Sequence, residues 1–158
     1  MNSSTAEVRI RHMSEADLDR VLEIGESLPE APHWKASAYV AAMNPLQIPR
    51  RIALVAVERE SDALAGFLVA GMVAAEAALE TIAVAAEAQR RGVGGRLLRA
   101  LLEELRAEQV TELILEVRAS NRAALGFYRA QGFKETGRRP RYYADPEEDA
   151  VLMGLNLA

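Results

Sequence analysis

The run Gln89-Arg90-Arg91-Gly92-Val93-Gly94-Gly95 has the composition and spacing of an anion site. Glycines let a backbone approach a ligand closely and adopt conformations that other residues resist. Where a helix starts at such a run, its first N–H groups have no internal partner and carry the positive end of the helix dipole. A pyrophosphate suits that place, and Arg90 and Arg91 add positive charge to it. Two familiar phosphate loops are excluded. A Walker-type loop ends in Gly-Lys-Ser/Thr, whereas Gly94-Gly95-Arg96-Leu97 has neither the lysine nor the hydroxyl. A dinucleotide fingerprint G-x-G-x-x-G counted from Gly92 puts Leu97 where its third glycine belongs. The plain alternative is an ordinary glycine-rich turn with solvated arginines.

The flanking sequence supplies the elements that such a site needs. Leu79-Glu80-Thr81-Ile82-Ala83-Val84 is apolar and β-branched, which predicts a buried strand over 78–84. Leu97, Leu98, Leu101, Leu102 and Leu105 form one apolar face of a helix over 94–108. Upstream, Val8 and Ile10 alternate with Arg9 and Arg11 in a strand over 7–12. Ser14 then caps a helix carrying Leu18, Val21, Leu22 and Leu28, with acidic residues in its first turn. Pro29 and Pro32 interrupt the chain before a second helix from Trp34 to Met43, ended by Asn44-Pro45. Residues 51–58 and 63–74 read as a hairpin around Glu60-Ser61-Asp62. Beyond the long helix come a strand over 111–117, a helix over 121–131, a strand over 132–137 and a final strand over 149–155. Loops are expected at 44–50 and 144–148. The order β-α-α-β-β-β-α-β-α-β-β predicts an α/β (α+β) fold with a mixed sheet, as one domain over 1–158.

Composition narrows the function classes. The formal charge of −4 argues against direct nucleic-acid binding, which normally needs a basic face. Zero cysteines exclude disulfides, thiolate metal sites and a cysteine nucleophile. With His12 and His33 as the only histidines, a histidine-rich metal centre is excluded as well, and no metal is expected. No cationic stretch followed by an apolar one opens the sequence, and no apolar run approaches the roughly 20 residues that span a bilayer. A cytoplasmic location without membrane attachment is the expectation. The oligomeric state stays open between monomer and homodimer.

Gln-x-x-Gly-x-Gly directly after a strand resembles the acetyl-CoA loop of the GNAT N-acetyltransferase superfamily, and the order of elements is similar over nearly the whole chain. A second block narrows the resemblance. It comprises Leu115-Glu116-Val117-Arg118-Ala119-Ser120-Asn121, then Gly126-Phe127-Tyr128, Gly132-Phe133, Arg141-Tyr142-Tyr143 and Glu148-Asp149-Ala150. It looks like the bacterial ribosomal-protein-alanine N-acetyltransferases, the RimI-type branch; Trp34 after a proline-bounded loop fits the same branch. Residues 58–78 offer nothing diagnostic. The resemblance implies a mostly antiparallel central sheet with helices on both faces, and acetyl-CoA as cosubstrate. Ile82, Ala83 and Val84 would then present strand backbone to the pantetheine arm. Gln89, Arg90, Arg91, Gly92, Val93, Gly94 and Gly95 would wrap the pyrophosphate, and Asn121 would contact coenzyme A. Glu116 matches the general base of the family, and Tyr128 its general acid. The acceptor so implied is a protein N-terminus, alanine of a ribosomal protein.

The chemistry is consistent with those residue types. Acetyl transfer to an amine needs a neutral amine and a proton for the departing thiolate. At pH 7.4 roughly a quarter of α-amines are neutral, against about 0.1% of lysines. Glu116 can take the remaining proton, directly or through water. Strand parity puts it on one side with Ile114 and Arg118, so it can equally pair with Arg118. Glu80, on the strand beside the acetyl site, is a rival base. Tyr128 lies two helical turns beyond Asn121 and can protonate the thiolate, or be a core tyrosine beside Phe127 and Phe133. Arg138, Arg139, Arg141, Tyr142 and Tyr143 either line an acceptor groove or form a solvated hairpin. Two rivals to N-terminal acetylation remain: transfer to a lysine or small amine, and a coenzyme A-binding module without turnover.

Overall fold

Alternating and 3.6-residue patterns become strands and helices in the predicted order. The computed structural model describes residues 7–29 and 33–158; the start of the chain and the break at Pro32 lie outside them. Strand β1 is Val8–His12, α1 is Leu18–Ser27 and α2 is Ala36–Met43. Strands β2 (Arg50–Glu58), β3 (Leu64–Val73) and β4 (Glu76–Val84) follow as two hairpins. The remainder is α3 (Val93–Ala107), β5 (Glu112–Arg118), α4 (Arg122–Ala130), β6 (Lys134–Tyr143) and β7 (Glu148–Asn156).

The strands form one sheet in the order β1-β2-β3-β4-β5-β7-β6. All neighbours are antiparallel except β4 and β5. Two adjacent residues of β3 show that helices cover both faces. A Cβ on Gly66 would stand 3.4 Å from Leu97 of α3, whereas the Phe67 ring lies 3.7 Å from where a Cβ of Gly25 in α1 would be. Consecutive strand residues point to opposite faces, so α1 and α3 pack on opposite sides. Leu97, Leu98, Leu101 and Leu105 of α3 are fully buried, each worth about 1.5–3 kcal/mol of apolar transfer.

Several boundaries differ from the sequence reading. Ser14 begins a single 3-10 turn, Glu15–Asp17, before α1 starts, and its backbone N–H donates to Asp17 Oδ2 at 2.8 Å. The second helix starts at Ala36 instead of Trp34. Strand β6 continues through Pro140 to Tyr143, six residues beyond the predicted end. As an edge strand it needs no N–H from Pro140 on its free side. Its pairing with β7 is interrupted between Arg139 and Tyr143, where Arg141 adopts φ 53°. That bulge stops a proline from breaking the strand.

Candidate functional site

The site begins where two parallel strands part. β4 and β5 pair only through Glu76–Ala78 and Glu112–Ile114, although β4 stays bonded to β3 as far as Val84 and β5 to β7 as far as Arg118. Beyond Ala78 the facing edges of β4 and β5 have no ladder partner, which opens a gap inside the sheet. Buried backbone groups need partners, so such a gap is suited to an extended ligand carrying amides. A cleft of about 860 Å³ lies here, within the range of small-molecule sites. A bulge shapes its β4 wall: Val69 pairs with Thr81 and Ala70 with Leu79, leaving Glu80 as the extra residue.

At one end of the cleft, the glycine-rich loop enters α3 as predicted. Gly92 is the N-cap with φ 81°, in the left-handed region that favours glycine, and a Cβ there would meet nothing within 4 Å. Gln89 Nε2 donates to the Val84 carbonyl at 3.1 Å, tying the loop back to the end of β4. Arg90, with φ 65°, lines the cleft. Arg91 does not: its guanidinium lies against Glu58 at 3.0 Å, so only its backbone belongs to the loop. Val93 borders the cleft, but its side chain is buried in the core. Gly94 leaves space for a side chain instead of a ligand, since its Cβ would stand 3.3 Å from the Phe127 ring. Ile82, Ala83, Val84 and Gly95 line the cleft. Free helical N–H groups, an open left-handed glycine and unpaired strand edges together fit the pyrophosphate and amide arm of coenzyme A.

Asn121 and Tyr128 stand on the opposite wall. Asn121 caps α4, its Oδ1 accepting from the Ala124 N–H at 3.1 Å, which fixes the side chain at the cleft margin. Tyr128 is buried between Phe127 and Phe133, with ring centroids 5.2 and 5.5 Å away. Burial pushes its phenol up to about 12, so the hydroxyl stays protonated throughout the neutral range.

The two candidate carboxylates share one face of the sheet. Gly71 pairs with Ala78 and Ala78 with Ile114, so alternation puts Glu116 and Arg118 on the α1 side, with Glu80 beside Gly71. Glu80 is held by Arg51, Nε to Oε1 at 2.7 Å and Nη2 to Oε2 at 3.2 Å. Among the described residues Glu116 has one ionic contact, Arg139 Nη2 to Oε1 at 3.5 Å. The expected alternative partner, Arg118, is engaged elsewhere. It stacks on the Tyr143 ring at 4.3 Å, bonds the Pro146 carbonyl and faces Glu148. The tyrosine pair therefore divides: Tyr143 lines the cleft, and Tyr142 is half exposed under Arg139. Burial raises the Tyr143 phenol, with the nearby Glu116 charge adding to the effect. Arg138 faces Glu135 and Arg141 faces Glu147, outside the cleft lining.

Several cleft residues have no site role assigned from the sequence. Leu28 and Pro29 close the α1 side, Phe127 backs the loop, and Thr81 has a buried hydroxyl with no hydrogen-bond partner among the described residues. Gly71 inside a strand was the one available signal for the bulge and the Arg51–Glu80 pair, because glycine there marks close approach. Among the described residues no group of three His, Asp or Glu is placed to hold a metal ion, and no helix is long and apolar enough to cross a membrane.

A splayed parallel strand pair, closed at one end by a helix-capping glycine loop, has the form expected of an acyl-coenzyme A transferase. The family model of the acetyltransferase (GNAT) family matches residues 18–133. The [ribosomal protein bS18]-alanine N-acetyltransferase of Salmonella typhimurium is 44% identical over 99 residues, 61% of this chain and 67% of that protein. The putative enzyme of that name from Bacillus subtilis is 33% identical over 94% of this chain and 95% of its own. The crystal structure of the Escherichia coli ribosomal-protein-S18-alanine N-acetyltransferase superposes with a TM-score of 0.80 at 32% identity, covering 96% of this chain and 94% of that one. The chain belongs to the GNAT family and is an acetyl-CoA-dependent N-acetyltransferase.

Proposed function

We propose that this enzyme, one GNAT domain over 1–158, acetylates the N-terminal α-amine of a protein, and that the acceptor is the alanine of a ribosomal protein in the cytoplasm. The acceptor is supported by what the similar proteins of Salmonella and Bacillus are named for. The observation that carries the mechanism is the pairing of a lightly engaged carboxylate, Glu116, with a buried phenol, Tyr128, on one cleft.

In this reading the amides of Gly92, Val93, Gly94 and Gly95 hold the pyrophosphate, with Arg90 adding charge and Gln89 fixing the turn. Arg91 contributes its backbone only. Ile82, Ala83 and Val84 offer their free edge to the pantetheine amides, and Asn121 contacts coenzyme A from the other wall. Acetyl-CoA, when bound, supplies the thioester whose carbonyl carbon the amine attacks. A C–N bond forms and the C–S bond breaks. Glu116 accepts the amine proton, directly or through water, and Tyr128 donates its hydroxyl hydrogen toward the departing sulfur. Glu80 is the weaker candidate for base because Arg51 occupies both its oxygens.

Mass spectrometry of a peptide that begins with alanine and contains one lysine, incubated with acetyl-CoA, tests the acceptor. The acetyl group is expected on the α-amine. Acetylation of the lysine alone would make the enzyme a side-chain acetyltransferase.

A further inference from the structure

The Arg51–Glu80 pair is a charged cluster at the cleft wall, with Glu80 lining the cleft, that the proposed chemistry does not use. Its geometry is specific. Two nitrogens of one guanidinium meet two oxygens of one carboxylate at 2.7 and 3.2 Å, the fork arrangement to which arginine is suited. Arg51 pairs in register with Gly71, and a Cβ on Gly71 would stand 2.9 Å from Glu80 Oε1. Glycine at that position lets the carboxylate lie against β3. The bulge on β4 supplies the extra residue that turns Glu80 toward Arg51. Three strands thus cooperate to hold one acidic side chain, which is still 26% exposed and lines the cleft. The other titratable groups lining that cleft are Arg90, Glu116, Arg118, Tyr128 and Tyr143, with Arg139 beside Glu116. β3 contributes the uncharged Gly71, and the uncharged Leu28 follows the end of α1.

We infer that Arg51 is a positioning residue that withholds Glu80 from the acceptor, so that the amine entering the cleft is not trapped as an ammonium ion. The inference rests on amine acetylation but not on which amine is the acceptor. An unpaired carboxylate within about 4–6 Å favours the charged form of a neighbouring group by about one to three pKa units. An ammonium nitrogen has no lone pair with which to attack. Arg51 occupies both oxygens and cancels the charge, leaving Glu116 to receive the proton on the way to product.

The test is kcat against pH, which reports the bound complex. Four proteins are compared: wild type, Arg51→Ala, Arg51→Lys, and the double variant Arg51→Ala with Glu80→Gln. In Arg51→Ala the rising limb should move about one unit to higher pH, lowering kcat at pH 7.4 about tenfold, with peptide KM unchanged or smaller. The double variant should return the limb to its wild-type position because the trapping charge is gone. Arg51→Lys, which keeps the charge but not the fork, should move the limb less than Arg51→Ala does. A purely structural role predicts instead a raised KM, an unmoved limb and no recovery in the double variant; that result overturns the inference. If Arg51→Ala fails to fold, Arg51→Gln is read by the same criteria. Should the wild-type enzyme prefer a lysine or polyamine, the proposed acceptor is wrong, and the same profiles taken with that amine decide the role of Arg51.

Discussion

The Phe127 ring of α4 lies 3.3 Å from the point where a Cβ of Gly94 would stand, so the cradle loop and the wall opposite it are packed against each other. The glycines of the loop consequently have different reasons. Gly94→Val should push α4 or the loop aside, costing about 1–3 kcal/mol of stability and weakening acetyl-CoA binding. Gly92→Val meets no atom but must hold φ 81°, which β-branched residues resist, at a similar cost. Gly92→Asn should retain more affinity, since asparagine tolerates the left-handed region. Calorimetry with unchanged affinity in both valine variants would remove the loop from the site.

Tyr128→Phe separates packing from chemistry. The ring contacts with Phe127 and Phe133 survive, so acetyl-CoA affinity and thermal stability should stay near wild type. Loss of the donor should lower kcat by about 10²–10⁴-fold. Because burial holds the phenol near 12, the variant should not move any limb of the pH profile below that value. Unchanged turnover would assign the sulfur's proton to solvent.

A third prediction concerns the start of α1, away from the cleft. Asp17 is buried, takes two bonds from Arg11 at 2.8 Å each and one from the Ser14 N–H. The Arg11 bond foremost, with Ser14 assisting against burial, holds its carboxyl below the usual range. A depressed native pKa stabilises the fold above the unfolded value of about 3.9 and is lost as pH falls through the native one. Asp17→Asn should therefore cost about 1.5–3 kcal/mol in urea unfolding at pH 7. The difference from wild type should shrink steadily below pH 4. A gap that stays constant down to pH 2 would show that the ionised form adds nothing.

How much of this was legible follows from what each signal depends on. The loop, α3 and β5 were readable because periodicity and glycine chemistry are local. The sequence places the end of β6 at Gly137, whereas the strand runs past Pro140 because it is an edge with a bulge, which is a tertiary property. Charge and position place Arg91 at the pyrophosphate, but Glu58, 33 residues away, takes its guanidinium. The same kind of distance hid Arg51 from Glu80 and Arg139 from Glu116. Sequence neighbours suggested Arg118 for Glu116, but the β6–β7 bulge brings Tyr143 and the Pro146 carbonyl to Arg118 first. Ion-pair choice is a tertiary property, and adjacency along a strand does not determine it.

The sharpest prediction joins acceptor type to pH. With reference pKa values alone, an α-amine is about a few hundredfold more abundant as the neutral form than a lysine at pH 7.4. A peptide with a free α-amine should thus outpace the same peptide blocked at its N-terminus and carrying one lysine. Glu116→Gln removes the proposed acceptor of the amine proton while keeping the shape and the neighbourhood of Arg139. The loss should be greatest near pH 6.5, where most amine is protonated and a base is needed, at about 10²-fold or more. Near pH 9, where the α-amine is already neutral, it should be smallest. Glu80→Gln should give a smaller loss with little pH dependence, because Arg51 already occupies that carboxylate. Stopped-flow or thiol-release rates across pH 6–9.5 for both variants decide between the carboxylates. If Glu80→Gln carries the pH-dependent loss and Glu116→Gln does not, the base belongs on β4 and the roles assigned to Arg51 and Glu116 both fall.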